Sequence, residues 1–167
     1  MTDARMVLAQ LAAALAAVTA AGLADTHVIA EHMMLSPRGL RIWNVGIGGW
    51  TTWARELVAG TYTAAGELRW HPDLTPDEAR GQPSRQSNAA AALALLAFRL
   101  LAGRHYWHAA NAEPNPMKLL MEILGAIEPP SARAPGAQLP AGFDDWFAAC
   151  LAGRHDDSGA ALRALRF

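Results

Sequence analysis

Apolar residues recur along this chain at helical spacing. In residues 3–21, Leu8, Leu11, Leu15 and Val18 fall three, four and three apart, on one helical stripe, with alanine filling most of the remainder. Gly22 stands where a helix-ending residue belongs. A narrow leucine ridge with small flanks suits close helix-on-helix packing. The most apolar stretch is Ser87 to Glu113, SNAAAALALLAFRLLAGRHYWHAANAE, in which only Arg99 is strongly polar between Ala89 and Leu101. No polar face remains to meet water, so the pattern predicts a buried central helix over about 88–110. Further on, Asn115 caps a helix that starts at Pro116 and ends at Gly125, with Met117, Leu120, Met121 and Leu124 on its expected buried face and Lys118 and Glu122 opposite. Phe143 to Ala152 reads as helix up to Gly153. A last amphipathic segment runs from Ser158 to Phe167, with Leu162 and Leu165 inward and Arg163 and Arg166 outward.

Between these segments the pattern is less regular. Asp25 or Thr26 caps a second helix from His27 to about Leu35, which Ser36-Pro37 breaks, and RGLRIWN then reads as a short third helix. Gly46, Gly48 and Gly49 interrupt the chain before a helical WTTWARELV, and TYTAAGELRW at 61–70 carries a hairpin signal. Residues 71–86 form the most polar stretch, expected to be a mobile or boundary loop, with Thr75-Pro76-Asp77-Glu78 as a capping-box start to one helical turn. Residues 126–142 are proline-rich without periodicity, an extended arm. The expected fold is therefore all-α: a single domain, a compact bundle of five to seven helices around the central apolar helix, with one small hairpin at 61–70.

Composition narrows the class. The 167 residues suffice for one domain with a real core, and 52% of them are apolar against 17% charged. A net charge of −1 leaves no overall electrostatic footprint for nucleic acid. The lone Cys150 cannot form an internal disulfide, which is consistent with a reducing, cytoplasmic setting. The run Met6–Leu23 resembles a signal core, but Thr2-Asp3-Ala4-Arg5 lacks the positive flank and Gln10 interrupts it. Ala89–Leu101 is shorter than the ~20 apolar residues a bilayer crossing needs, so no membrane span is expected.

Two groups of residues could carry chemistry. His105 and His108 are three apart, and His27 and Glu31 four apart, so each pair shares a helix face, and facing pairs could supply a metal site. Neither the Glu-x-x-His pattern of di-iron bundles nor His-Glu-x-x-His is present. The second group is amphipathic: Trp50 and Trp53 after the Gly46–Gly49 turn, with Arg104, Tyr106 and Trp107 at the end of the central helix, are candidates to line a small-molecule pocket. The Gly46–Gly49 turn lacks the spacing of a phosphate loop. A helix-turn-helix at Val18–His32 would present Glu31 and two methionines but no Arg or Lys, which equips it poorly for DNA. Cys150, within FAACLA, reads as a small buried hydrophobe.

Two short similarities remain. Leu101-Ala-Gly-Arg-His105 recurs as Leu151-Ala-Gly-Arg-His155, which fits two helix ends closed by glycine. Asn115, Pro116, Lys118, Gly125, Arg133 and Pro135 resemble a piece of the C-terminal helices of the dihydrodipicolinate synthase and N-acetylneuraminate lyase family. The resemblance includes none of that family's catalytic residues, and the preceding residues lack the strands of its barrel, so it implies no activity here. The expected function is a cytoplasmic helical binding or assembly protein of bacterial type, engaging a protein partner or a second copy of itself. The alternatives are a small helical metal- or ligand-binding enzyme with a His/Trp-lined pocket, and a helix-turn-helix regulator. No cofactor is required by the sequence.

Overall fold

The structure is a computed structural model that describes residues 2–21, 33–36, 39–42, 73–80, 86–111 and 115–166. Among these residues eight helices and one two-stranded antiparallel sheet occur, and the class is mostly helical. In chain order they are α1 (Thr2–Ala20), β1 (Met33–Ser36), β2 (Gly39–Ile42), α2 (Pro76–Ala79), α3 (Gln86–Ala102), α4 (His108–Asn111), α5 (Pro116–Leu124), α6 (Pro130–Arg133), α7 (Phe143–Leu151) and α8 (Ser158–Ala164). The hairpin expected at 61–70 and the helix expected at Trp50–Val58 lie outside the described residues.

The leucine stripe of α1 is buried at Leu8, Leu11 and Leu15, and it packs on α3 and α8. The described core side chains of α3 are buried from Asn88 to Phe98 on every face, as an all-round apolar helix requires. One side meets α1, another α7 and α8. Polar atoms close the joints: Ser158 Oγ donates to Ala12 O at 2.9 Å, and Trp146 Nε1 donates to Ala161 O at 2.6 Å. Phe98, Tyr106 and Phe147 form the aromatic centre, with Phe98 and Tyr106 edge to face at 5.4 Å between centroids.

Three expectations need correction. The helices expected at His27–Leu35 and 38–44 give way, where the chain is described, to a hairpin in which Met33 pairs with Ile42 and Ser36 with Gly39. Four-residue apolar runs fit a strand as well as a helix, and two features favour the strand. Gly39 adopts φ +111°, which an L side chain resists, and Gln10 of α1 accepts the Leu40 N–H through its side-chain oxygen at 2.5 Å.

The second correction concerns α3, expected to run over about 88–110, which ends at Ala102. Gly103 turns left-handed at φ +69° while its N–H still bonds Arg99 O at 2.9 Å. The echo Leu151–His155 ends α7 in the same way, with Gly153 at φ +65°. The third correction is in the polar stretch: Asp73, Leu74, Thr75 and Pro76 are buried, so over these residues it is no mobile surface loop. The capping box itself forms, with Thr75 and Glu78 bonding each other's backbone N–H.

Candidate functional site

Beyond Gly103 the chain folds back on itself through Asn111. Its carboxamide oxygen accepts the His105 N–H at 2.9 Å, and its NH2 donates to His105 O and Trp107 O at 2.8 and 3.1 Å. This closed turn sends Tyr106 and Trp107 inward, both fully buried, and leaves Arg104 and His108 exposed. Trp107 Nε1 donates to Leu74 O at 3.0 Å, which ties the turn to the Asp73–Pro76 segment. His105 Nδ1 lies 3.0 Å from Asp73 Oδ1, and Arg99 Nη1 lies 3.1 Å from the other oxygen of the same carboxylate. Asp73 is thus a buried anion held between two side chains of the 86–105 segment.

Of the residues expected to bind metal, His105 is turned to Asp73 and His108 to the surface. His27 and Glu31 lie outside the described residues. Among the described residues no group of three His, Cys, Asp or Glu is placed to hold a metal ion. Of the expected pocket residues, Trp50 and Trp53 lie outside the described residues. Arg104 stands in solvent, while Tyr106 and Trp107 are core and not pocket walls.

Sequence reasoning missed the densest polar cluster, which is built on Arg133. Its guanidinium is buried 4.6 Å from the Tyr106 ring centroid and 5.9 Å from that of Trp107. It pairs with the Glu122 carboxylate and donates to Tyr106 O at 3.1 Å, with Glu128 Oε2 3.4 Å from Nε. Glu122 also accepts the N–H groups of His108 and Ala109 at 2.8 and 2.9 Å. Burial alone would raise the Glu122 pKa, but the Ala109 N–H, the Arg133 guanidinium and the His108 N–H together hold it below the ordinary value. Tyr106 Oη donates to Glu128 O at 2.5 Å, and burial pushes its pKa up to about 12 despite the opposing pull of Arg133. The cluster therefore clasps α4, α5 and the arm carrying α6 around one cation. No signal in the arm's sequence marks Arg133 for this role, since Glu122 and Tyr106 lie 11 and 27 positions earlier.

The clasp bears on how α5 sits, and the expected face is kept only in part, with Lys118 exposed and Leu120 half-buried. Leu119 and Ile123 are buried and Glu122 turns to Arg133, whereas Met117, Met121 and Leu124 face outward. Met117 is 64% exposed, Met121 70%, Leu124 44% and Ile127, just past the helix, 40%. At spacings of four and three, Met117, Met121 and Leu124 form an apolar ridge on the helix, with Ile127 exposed beyond its Gly125 cap. The arm expected to be extended at 126–142 instead turns three times, at α6, at Ala134–Ala137 and at Pro140–Phe143, and it frames a half-open groove of about 430 Å3 against α7, lined by Ser131, Pro135, Leu139, Pro140, Phe143 and Asp145 among others.

No protein-family model matches the chain, the 113–135 resemblance included, and the search of curated proteins gave no match. No helix of the described residues is long and apolar enough to cross a membrane.

Proposed function

We propose that this chain is a cytoplasmic helical assembly protein of bacterial type that pairs with a second copy of itself through the α5 ridge. The fold that goes with this reading is a bundle organised on α3. One observation carries it: three large apolar side chains, Met117, Met121 and Leu124, stand exposed in a row on a helix that buries Leu119 and Ile123, and Ile127 is exposed just past its end. Scattered exposed apolar residues are ordinary, whereas a contiguous row on a rigid element supports a contact surface. Methionine suits such a surface because its unbranched side chain adapts to the facing one.

Charge supports a second copy as the occupant. Lys118 and Glu128, both exposed, stand near opposite ends of the ridge. An antiparallel pairing centred between Met121 and Leu124 brings Lys118 of one protomer towards the partner's Glu128, and opposes the two helix dipoles as well. The ridge offers on the order of 400 Å2 per protomer, about half of a standard interface, so the dimer is weak and reversible. Sedimentation across a concentration series tests it. The expected result is a dissociation constant in the micromolar range, roughly −8 kcal/mol or weaker. Met121→Glu should abolish the dimer without altering the far-UV spectrum. A chain that stays monomeric at millimolar concentration, or a Met121→Glu variant that dimerises as before, overturns the proposal.

A further inference from the structure

Near the start of α3, Asn88 carries a polar side chain into the core. The residue is 2% exposed, and its side-chain NH2 has no hydrogen-bond partner among the described residues. A buried amide left in that state costs free energy comparable to several ordinary hydrogen bonds' net contribution, and native structures rarely carry one. Asn88 forms part of the wall of a small cavity of about 10 Å3, where the Thr75–Asp77 turn, Ala91 of α3 and the end of α7 at Cys150, Leu151 and Gly153 meet. About 10–15 Å3 is the least volume that admits one water, and a larger ligand does not fit.

We infer that this cavity is the site of one ordered water that accepts a hydrogen bond from Asn88 Nδ2 and links three segments of the fold. A water needs further polar partners, and the wall supplies acceptors of two kinds. Asp77 contributes a carboxylate, and α7 ends here, where carbonyls that already accept the Ala152, Gly153 and Arg154 N–H groups keep a second lone pair. The water therefore donates towards the α2 turn or the end of α7 while accepting from α3. An anion is the poorer occupant, since the Asp77 carboxylate lies in the same wall. The neighbouring Cys150 offers no competing chemistry, because burial pushes its thiol pKa up to about 12. The site locks the buried segment 73–76 onto the helices at a point that neither the Trp107 nor the Asp73 contact reaches.

The sign of a stability change tests this. If the amide is bridged by water, Asn88→Leu expels the water and strands its other partners, and the melting temperature falls by about 4 °C. If the amide is unpartnered, the same substitution removes a buried polar group and the melting temperature holds or rises, which overturns the inference. Asn88→Ser keeps a donor and makes room for a second water, so it should lose less than half as much as Asn88→Leu. A direct readout guards against a purely steric effect of leucine: nuclear Overhauser contact between the Asn88 side-chain NH2 and a long-lived water in the unmodified chain. Absence of that contact overturns the inference, as does a bromide ion found at the position in crystals soaked with the salt.

Discussion

The Arg133 guanidinium stacks 4.6 Å from the centre of the Tyr106 ring while donating to the carbonyl of the same residue at 3.1 Å. One side chain thereby fixes both the ring and the backbone of the turn that follows α3. The Arg133 side chain is only 5% exposed, and its removal leaves the Glu122 carboxylate, 17% exposed, without its cation. Arg133→Met should cost roughly 3 kcal/mol, because a stranded buried charge is worse than no pair at all. Arg133→Lys should recover little of this, since a point-like ammonium cannot lie flat on the ring and reach Glu122 together. The double variant Arg133→Met, Glu122→Met should melt above Arg133→Met alone. Denaturant titration of the three variants checks the ranking.

Glu122 makes part of the fold's stability dependent on acid. Its pKa is held below the ordinary 4.5 in the folded chain, so the unfolded chain binds the proton more readily. The associated stability is fully present above about pH 5 and is lost as pH falls through the folded-state value. Glu122→Gln should be less stable at neutral pH and show a flatter acid limb. Equal slopes for the two proteins between pH 5 and 2 would contradict it.

Tyr106 acts at the opposite end of the scale. Burial raises its pKa to about 12, so the folded chain keeps the phenol proton where the unfolded chain, at about 10, releases it. Its contribution is complete below pH 10 and declines as pH rises towards 12. Tyr106→Phe should lose the bond to Glu128 O, about 1 kcal/mol at neutral pH, together with that alkaline decline.

Asp73 joins a helix end and a turn that lie 26 and 32 residues away, through Arg99 and His105. Asp73→Asn keeps the shape but removes the charge that both partners meet, and should cost about 2 kcal/mol. Because the carboxylate is shared, Asp73→Asn and His105→Ala should be less than additive. Strict additivity in a double-mutant cycle would show that the 3.0 Å contact contributes nothing.

The elements that local chemistry specifies were legible in the chain. Asn115 followed by Pro116 starts α5, the Thr75–Glu78 box starts α2, and Gly153 ends α7. What was not legible depends on residues far apart. Pro116–Leu124 has apolar side chains on both faces, so periodicity alone cannot choose between Leu119 with Ile123 and Met117 with Met121. The choice follows from Glu122 reaching Arg133 in a proline-rich arm whose own pattern shows nothing. The hairpin at 33–42 likewise takes its support from Gln10, thirty residues before Leu40. Asp73 falls in the most polar stretch of the chain, and its partners are in another segment.

Cys150 is the chain's single cysteine, and its surroundings make a strong prediction about reactivity. It is fully buried in α7 among core side chains, and burial pushes its pKa up to about 12. Only the thiolate attacks a disulfide reagent, so near pH 8 its reactive fraction falls on the order of a thousandfold below that of a free thiol of pKa ~8.5. Burial also withholds the sulfur from a bulky reagent. Labelling by an aromatic disulfide should therefore proceed only as fast as the chain opens, and should be independent of reagent concentration once the reagent is in excess. Mild denaturant should accelerate it in step with the unfolding rate. Cys150→Ala should cost about 1 kcal/mol, the loss of a small buried hydrophobe. Rapid labelling of the native chain, first order in reagent, would place the thiol at an accessible surface and contradict the packing of α7 against α3.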